Sequence, residues 1–205
     1  MELKKYIEKN IGKIIEWRQQ LHSFPELAFK EIETSNFVAK KLKSFGITTY
    51  RGLGRTGIVG VLKNGTKQNN IGLRADMDVL PILEKNNFAY KSKNSGCMHA
   101  CGHDGHTAML LGAAEFLSKS KAFDGTVYFI FQPAEEGEAG ARAMIDDGLF
   151  SKFNIDCIFA IHNWPHLKSG IIKTREGPIM AGFDTFELTV NGSGGHAALP
   201  HLSND

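Results

Sequence analysis

Cys101 and three histidines, His99, His103 and His106, fall inside the ten residues MHACGHDGHT that run from Met98 to Thr107. Neutral imidazole and thiolate are the ligands preferred by zinc and similar borderline-soft ions, so this density points to a bound transition metal. Any one of these histidines alone is better explained by a hydrogen bond in a core or loop; the cluster as a whole is not. Spacing does not select among the four, and a metal site usually draws on more than one segment. Partners stand downstream, as the adjacent carboxylates Glu135 and Glu136 in QPAEEGE and as His162 in AIHNWP. An adjacent glutamate pair is usually a solvated helix or loop. This pair follows a strongly apolar run and the residues QPA, where a sheet delivers side chains into a site. Neighbouring side chains often point apart, so one carboxylate can bind metal while the other serves a water as general base. Asp76 and Asp78 in RADMDVLP are two residues apart and share one side of an extended segment; they either satisfy backbone groups in a turn or act at or just behind a metal. His22 and Glu26 in LHSFPELAF are assigned mainly to structure, through loop hydrogen bonds near the first helix.

The elements that must position these groups follow from periodicity. Leu3, Ile7, Ile11, Ile14, Ile15 and Leu21 recur at roughly helical spacing, and so do Ile32, Val38, Leu42 and Phe45 before Gly46. Pro25 keeps the segment between them irregular. GIVGVL (57–62) and NIGLRA (70–75), separated by the polar turn segment KNGTKQNN, are expected to be neighbouring strands. Asp104 is expected to cap a helix through HTAMLLGAAEFLSK. TVYFIFQ (126–132) is a buried strand, AGARAMIDDGLF a helix and DCIFAIH (156–162) another strand. Strands alternating with helices predict an α/β fold, a mixed central sheet flanked by helices. Every candidate ligand then lies at a strand end or a helix start, where open α/β sheets place their sites. From about Lys168 the pattern changes to strands and glycines. FELTV is expected to be a strand whose long edge lacks a partner, which implies that the sequence is a fragment.

With 42% apolar and 22% charged residues over 205 positions, the chain has the composition of a globular protein with one sizeable core. Lys plus Arg is 24 against 22 acidic residues, and the bases are scattered, so nucleic acid is not an expected partner. No run approaches a membrane span, and the charged N-terminus lacks the apolar stretch of a signal peptide, so a cytoplasmic location is expected. Three cysteines, an odd number, make a poor disulfide framework, and Cys97 and Cys157 are expected to be plain thiols.

The segments LHSFPELAF, GLRADMDVLPI, MHACGHDGHTAMLLGAA, FQPAEEGEAGARAMIDDG, AIHNWP and GSGGHAALPH occur in that order. Together they resemble the amidohydrolase subfamily of co-catalytic metallopeptidases that includes hippurate hydrolase, N-acyl-amino-acid amidohydrolases and the auxin-conjugate hydrolases. The resemblance implies a zinc-exopeptidase-like catalytic domain, its N-terminal part over residues 1–182. The start of an inserted α+β lid and dimerisation domain would then occupy residues 183–205. It implies two divalent ions (Zn, Mn, Co or Ni) held by Cys101, His103, Glu136 and His162, with the Cys101 thiolate a candidate bridge between them. Glu135 would be the general base. Asp78 would orient a ligand from behind, with Asp76 beside it, and His196 would be a lid histidine that steadies the tetrahedral intermediate in a neighbouring subunit. The implied substrate is an N-acyl amino acid, and the implied assembly a homodimer or homotetramer. Deacetylation of N-acetyl-diaminopimelate and dipeptide cleavage are alternatives within the family, and a structural-metal or small-ligand binding protein is the alternative outside it. The family also has a further metal-binding histidine, a substrate-binding region and most of the lid beyond the residues present.

Overall fold

The computed structural model describes residues 2–204. Two compact units divide the chain, one running through Trp164 and one beginning at Pro165.

The first unit is a five-stranded mixed sheet covered on both faces. Two amphipathic helices open it, α1 (Leu3–Ser23) and α2 (Ile32–Ser44), followed by β1 (Thr48–Leu53), β2 (Gly57–Asn64) and β3 (Asn70–Asp76). Then come α3 (His103–Ser120), β4 (Gly125–Gln132), α4 (Gly140–Asp146), α5 (Leu149–Lys152) and β5 (Cys157–Ala160). Strand order is β1-β2-β4-β3-β5. β1 and β4 run antiparallel to β2, whereas β3 runs parallel to both β4 and β5.

β4 explains the layering. Its side chains alternate between faces, and both faces are apolar. Val127, Phe129 and Phe131 pack with Trp17, Val38, Leu42 and Leu111 of α1, α2 and α3. Tyr128 and Ile130 pack on the other side with Met144, Leu149 and Phe153. A strand buried on both faces belongs in the centre of a sheet.

For that reason the two strands expected to be neighbours are not paired: β4 lies between β2 and β3. The connecting segment straddles the start of β4, held there by the Asp124 carboxylate, which accepts the Thr66 and Lys67 amides at 2.9 Å each. The single helix expected after β4 is broken in two at Gly148, whose φ of +93° ends α4 and restarts the chain as α5.

In the second unit, the residues read as a strand, FELTV, pair with nothing among the described residues, and Phe186, Leu188 and Val190 are 74% exposed or more. A strand without a ladder partner has no backbone bonds to define it. What order the unit has is local, an isolated bridge between Ser193 and Asn204 and a 3-10 turn at Pro200–Leu202.

Candidate metal centre

Three parallel strands, β3, β4 and β5, end on the same edge of the sheet; Asp76 is the last residue of β3, and the loops that leave the strands carry Asp78, then Glu135 and Glu136, then His162. Cys101, just before α3, and His103, its first residue, meet them. The expectation that every candidate ligand lies at a strand end or helix start therefore describes this edge.

His103 is the pivot. Its ring is buried, 1% exposed. Nδ1–H donates to the Asp78 main-chain carbonyl at 2.9 Å, with the Asp78 carboxylate at 3.3 Å. In the neutral ring that fixes the tautomer and leaves a lone pair on Nε2, which has no hydrogen-bond partner among the described residues. Burial opposes a charge on the ring, but the Asp78 hydrogen bond and the carboxylate charges of Asp76, Asp78 and Glu135 outweigh it and raise the His103 pKa, which favours a cation or a bound metal ion at Nε2. Around Nε2 stand carboxylate oxygens of Asp76 at 3.7 Å, Glu136 at 3.8 Å and Glu135 at 3.9 Å. These separations are too long for hydrogen bonds. They approach the spacing between two ligands of one ion when each bond is about 2.1 Å.

Cys101 Sγ, a His103 nitrogen and a Glu136 oxygen all lie within 4.8 Å of one another, and so do ligand atoms of Asp76, His103, His106 and His162. His162 donates from Nδ1 to the Asn163 carbonyl at 2.6 Å and turns Nε2 toward Cys101 Sγ, 3.4 Å away. Burial, then the Glu136 carboxylate and the further negative charges of Glu135 and Asp76, push the Cys101 thiol up to about 12. A thiol among carboxylates holds its proton unless a cation offsets the charge, and a bound divalent ion deprotonates it. The donor set thus fits a borderline divalent metal. Buried, partnerless oxygens on Asp78 and Glu136 beside the partnerless His103 Nε2 are the polar atoms such an ion would satisfy.

His106, one turn further along α3, differs. Its Nδ1–H donates to Asp76 at 2.6 Å and its Nε2 accepts the Asn163 amide at 3.0 Å, so both nitrogens are satisfied. Asp76 is completely buried and also takes the Arg74 guanidinium at 2.7 Å. Burial opposes its ionisation, but the His106 donor and the Arg74 charge hold its carboxyl well below the ordinary range. Gly102, at φ +93°, leaves the space that the Asn163 side chain fills; a Cβ there would collide with the Asn163 amide oxygen. Asn163 is thereby fixed between the two halves of the cluster, and it holds His162.

Asp104 does not cap α3. Gly102 occupies the cap position, and the Asp104 carboxylate turns inward to His22 Nδ1 at 2.8 Å and Arg18 at 3.0 Å. His22 reaches Glu84 through its other nitrogen at 3.0 Å, so it ties α1 to Asp104 and Glu84. Glu26 accepts the Glu33 and Thr34 amides at the start of α2. His99 is buried with neither ring nitrogen hydrogen-bonded among the described residues, and burial pushes its pKa down to about 4; it belongs to neither of the two groups of candidate ligand atoms. Cys97 and Cys157 are free thiols. His196 lies in the second unit, exposed, with Nδ1 accepting the Ala198 amide at 3.2 Å.

Glu135 and Glu136 sit in a tight loop. Asp78 accepts the Glu136 amide at 2.9 Å, and Ala134, immediately before the pair, has φ +51°. The Glu135 carboxylate is more open than that of Glu136, 36% against 23% exposed. Burial and the neighbouring Glu136 charge raise its pKa, against the pull of His103.

Soft and hard donors around a partnerless imidazole, at the ends of parallel strands, define a class: an α/β protein with a centre suited to divalent metal. Residues 72–204 match peptidase family M20/M25/M40, and the chain belongs to that family. It is 49% identical over 194 residues to hippurate hydrolase of Campylobacter jejuni, covering 95% of this chain and 50% of that protein. It is 41% identical to the N-acyl-L-amino acid amidohydrolase of Geobacillus stearothermophilus, over 100% of this chain and 55% of that one. Among solved structures, a dinuclear metal-binding peptidase of the M20 family from Bacillus subtilis superposes with a TM-score of 0.77. The two are 40% identical, over 83% of this chain and 48% of that one. The chain spans about half the length of the curated relatives it matches.

Proposed function

We propose that the protein is a metal-dependent hydrolase that cleaves the amide bond of an N-acyl amino acid into a carboxylate and a free amino acid. The observation that carries this reading is His103 Nε2, buried and without a hydrogen-bond partner among the described residues, facing three carboxylates at 3.7 to 3.9 Å. Cys101, His103, Glu136 and His162 would hold the metal, two divalent ions of the Zn, Mn, Co or Ni kind. Such ions supply Lewis-acid polarisation of an amide carbonyl and lower the pKa of water at neutral pH.

The protein's own groups do the rest. Asp78 accepts the His103 Nδ1–H on its main-chain carbonyl and the Glu136 amide on its carboxylate, so one buried residue orients two ligands. Glu135 stands at the open side with a raised pKa, which suits a group that takes a proton from the attacking water and returns it to the departing amine. His196 is assigned to the tetrahedral intermediate of a neighbouring subunit in a homodimer or homotetramer, through a lid domain that begins near residue 183. None of the described helices is long and apolar enough to cross a membrane.

A closed structural metal shell accords less well with Glu135, an open carboxylate with no hydrogen-bond partner beside the ligands. The test is hydrolysis of a panel of N-acyl amino acids by the intact protein loaded with Zn, Mn, Co or Ni. Glu135→Gln is expected to lower kcat by about 100-fold or more with metal content unchanged. Near-normal turnover in that variant sinks the assignment of the base, and no hydrolysis with any of the metals sinks the enzyme.

A further inference from the structure

Glu31 belongs to none of the chemistry described above, yet its carboxylate is the most completely enclosed acid outside the metal centre. It stands just before α2 and is 0% exposed. A carboxylate is retained in such a place only where donors replace water. Three do so here. Oε1 accepts the Phe29 amide at 3.0 Å and the Ala134 amide at 2.9 Å, and Oε2 accepts the Thr56 hydroxyl at 2.6 Å.

The second of these donors matters most, because Ala134 is the residue before Glu135. It is fully buried and sits at φ +51°, a left-handed conformation that a residue with a Cβ adopts only under constraint. Its carbonyl accepts the Gly140 amide at 2.9 Å, which closes the loop on itself. The glutamate loop is thus held from outside at two amides, Ala134 by Glu31 and Glu136 by Asp78, with Glu135 between them. Glu31 reaches Ala134 across 103 residues of sequence and joins it to the α2 start and the β1–β2 turn.

We infer that Glu31 is a positioning residue, which sets the left-handed turn at Ala134 and through it the placement of Glu135 and Glu136. The inference rests on the roles proposed above for those two glutamates. Its content is reach rather than charge. Glutamine keeps the length of the side chain and a carbonyl oxygen for the Phe29 and Ala134 amides, and the Thr56 hydroxyl can rotate to accept from the new amide. Aspartate keeps the charge but falls one methylene short of spanning Ala134 and Thr56.

Glu31→Asp and Glu31→Gln in the intact protein separate these properties. Zinc affinity is measured by competition with a chelator in the absence of substrate, and kcat and KM are then measured on the zinc-loaded proteins. Glu31→Asp is expected to weaken zinc about 10-fold and to lower kcat more than it raises KM, while Glu31→Gln stays near wild type in both. Melting curves confirm that both variants are folded. Wild-type zinc affinity and kcat in Glu31→Asp, or a Glu31→Gln protein as impaired as Glu31→Asp, overturns the inference. Wild-type protein that binds no zinc or hydrolyses nothing overturns the proposed function instead, and is recognised as such because it does not depend on Glu31.

Discussion

His103 and His106 stand one turn apart on α3, both buried, both beside Asp76, and the two pockets they occupy are built on opposite plans. Around His106 every polar atom has its partner: Asp76 on one nitrogen, the Asn163 amide on the other. Around His103 one nitrogen is fixed and the other faces carboxylates at distances no hydrogen bond explains. Satisfaction alone does not mark the difference, since buried His99 also lacks partners on both nitrogens among the described residues; what sets His103 apart is that its partnerless nitrogen faces three carboxylates. The contrast also orders the two chemically, because the satisfied pocket positions Asn163, and Asn163 orients His162 toward the open one.

The contrast breaks most sharply by truncation on either side. His103→Ala removes the ligand shared by both donor groups, and the protein is expected to lose bound metal and with it at least about two orders of magnitude in turnover. His106→Ala leaves every proposed ligand in place but frees Asp76 and the Asn163 amide. The expected result is a metal affinity lower by about 10- to 100-fold, with binding retained at higher metal concentration. Titration of both purified variants with Zn or Mn checks the pair. If His106→Ala abolished binding while His103→Ala retained it, the two roles would be exchanged.

What the sequence disclosed of this arrangement follows the same division. A metal cluster is legible because cysteine and histidine are rare and their clustering has few other causes, but spacing does not select among His99, Cys101, His103 and His106; the set Cys101, His103, Glu136 and His162 rests on the family resemblance. The alternation of helices and strands was legible too, since β4 is apolar on both faces and α1 on one stripe. Sheet order was not: β2 and β3 are close in sequence, but β4 enters between them from more than fifty residues away, and pairing is decided by burial of the whole sheet. FELTV had the composition of a strand, yet composition supplies no ladder partner. Asp104 looked like a cap because it stands at a helix start, and no local signal says that His22 and Arg18 wait for it from α1. Framework residues are the least legible of all. Glu31 is one glutamate among many, and only the folded chain brings the Ala134, Phe29 and Thr56 donors to it.

A third pocket extends the comparison away from the metal. Glu115, on α3 and 5% exposed, is as fully satisfied as His106: its oxygens take the Tyr6 hydroxyl at 2.7 Å and the ammonium groups of Lys13 and Lys119 at 2.5 and 2.6 Å. Burial works against the charge, but the Lys119, Lys13 and Tyr6 donors outweigh it and bring the carboxyl down from 4.5 to about 2. A depressed folded-state pKa stabilises the native protein wherever the unfolded chain's carboxylate is already ionised. The contribution is therefore complete above pH 4.5 and disappears as the pH falls from there toward 2. Glu115→Gln is expected to cost about 1 to 2 kcal/mol at neutral pH, a modest figure because Lys119 and Lys13 are partly solvated and recover water when released. The same substitution should flatten the loss of stability between pH 4.5 and 2 and leave metal affinity alone. Denaturant titrations of both proteins across that range decide it. An unchanged acid slope would mean that the ion pairs joining α1 to α3 contribute nothing, and a change in metal affinity would mean that the satisfied framework is not separable from the open site.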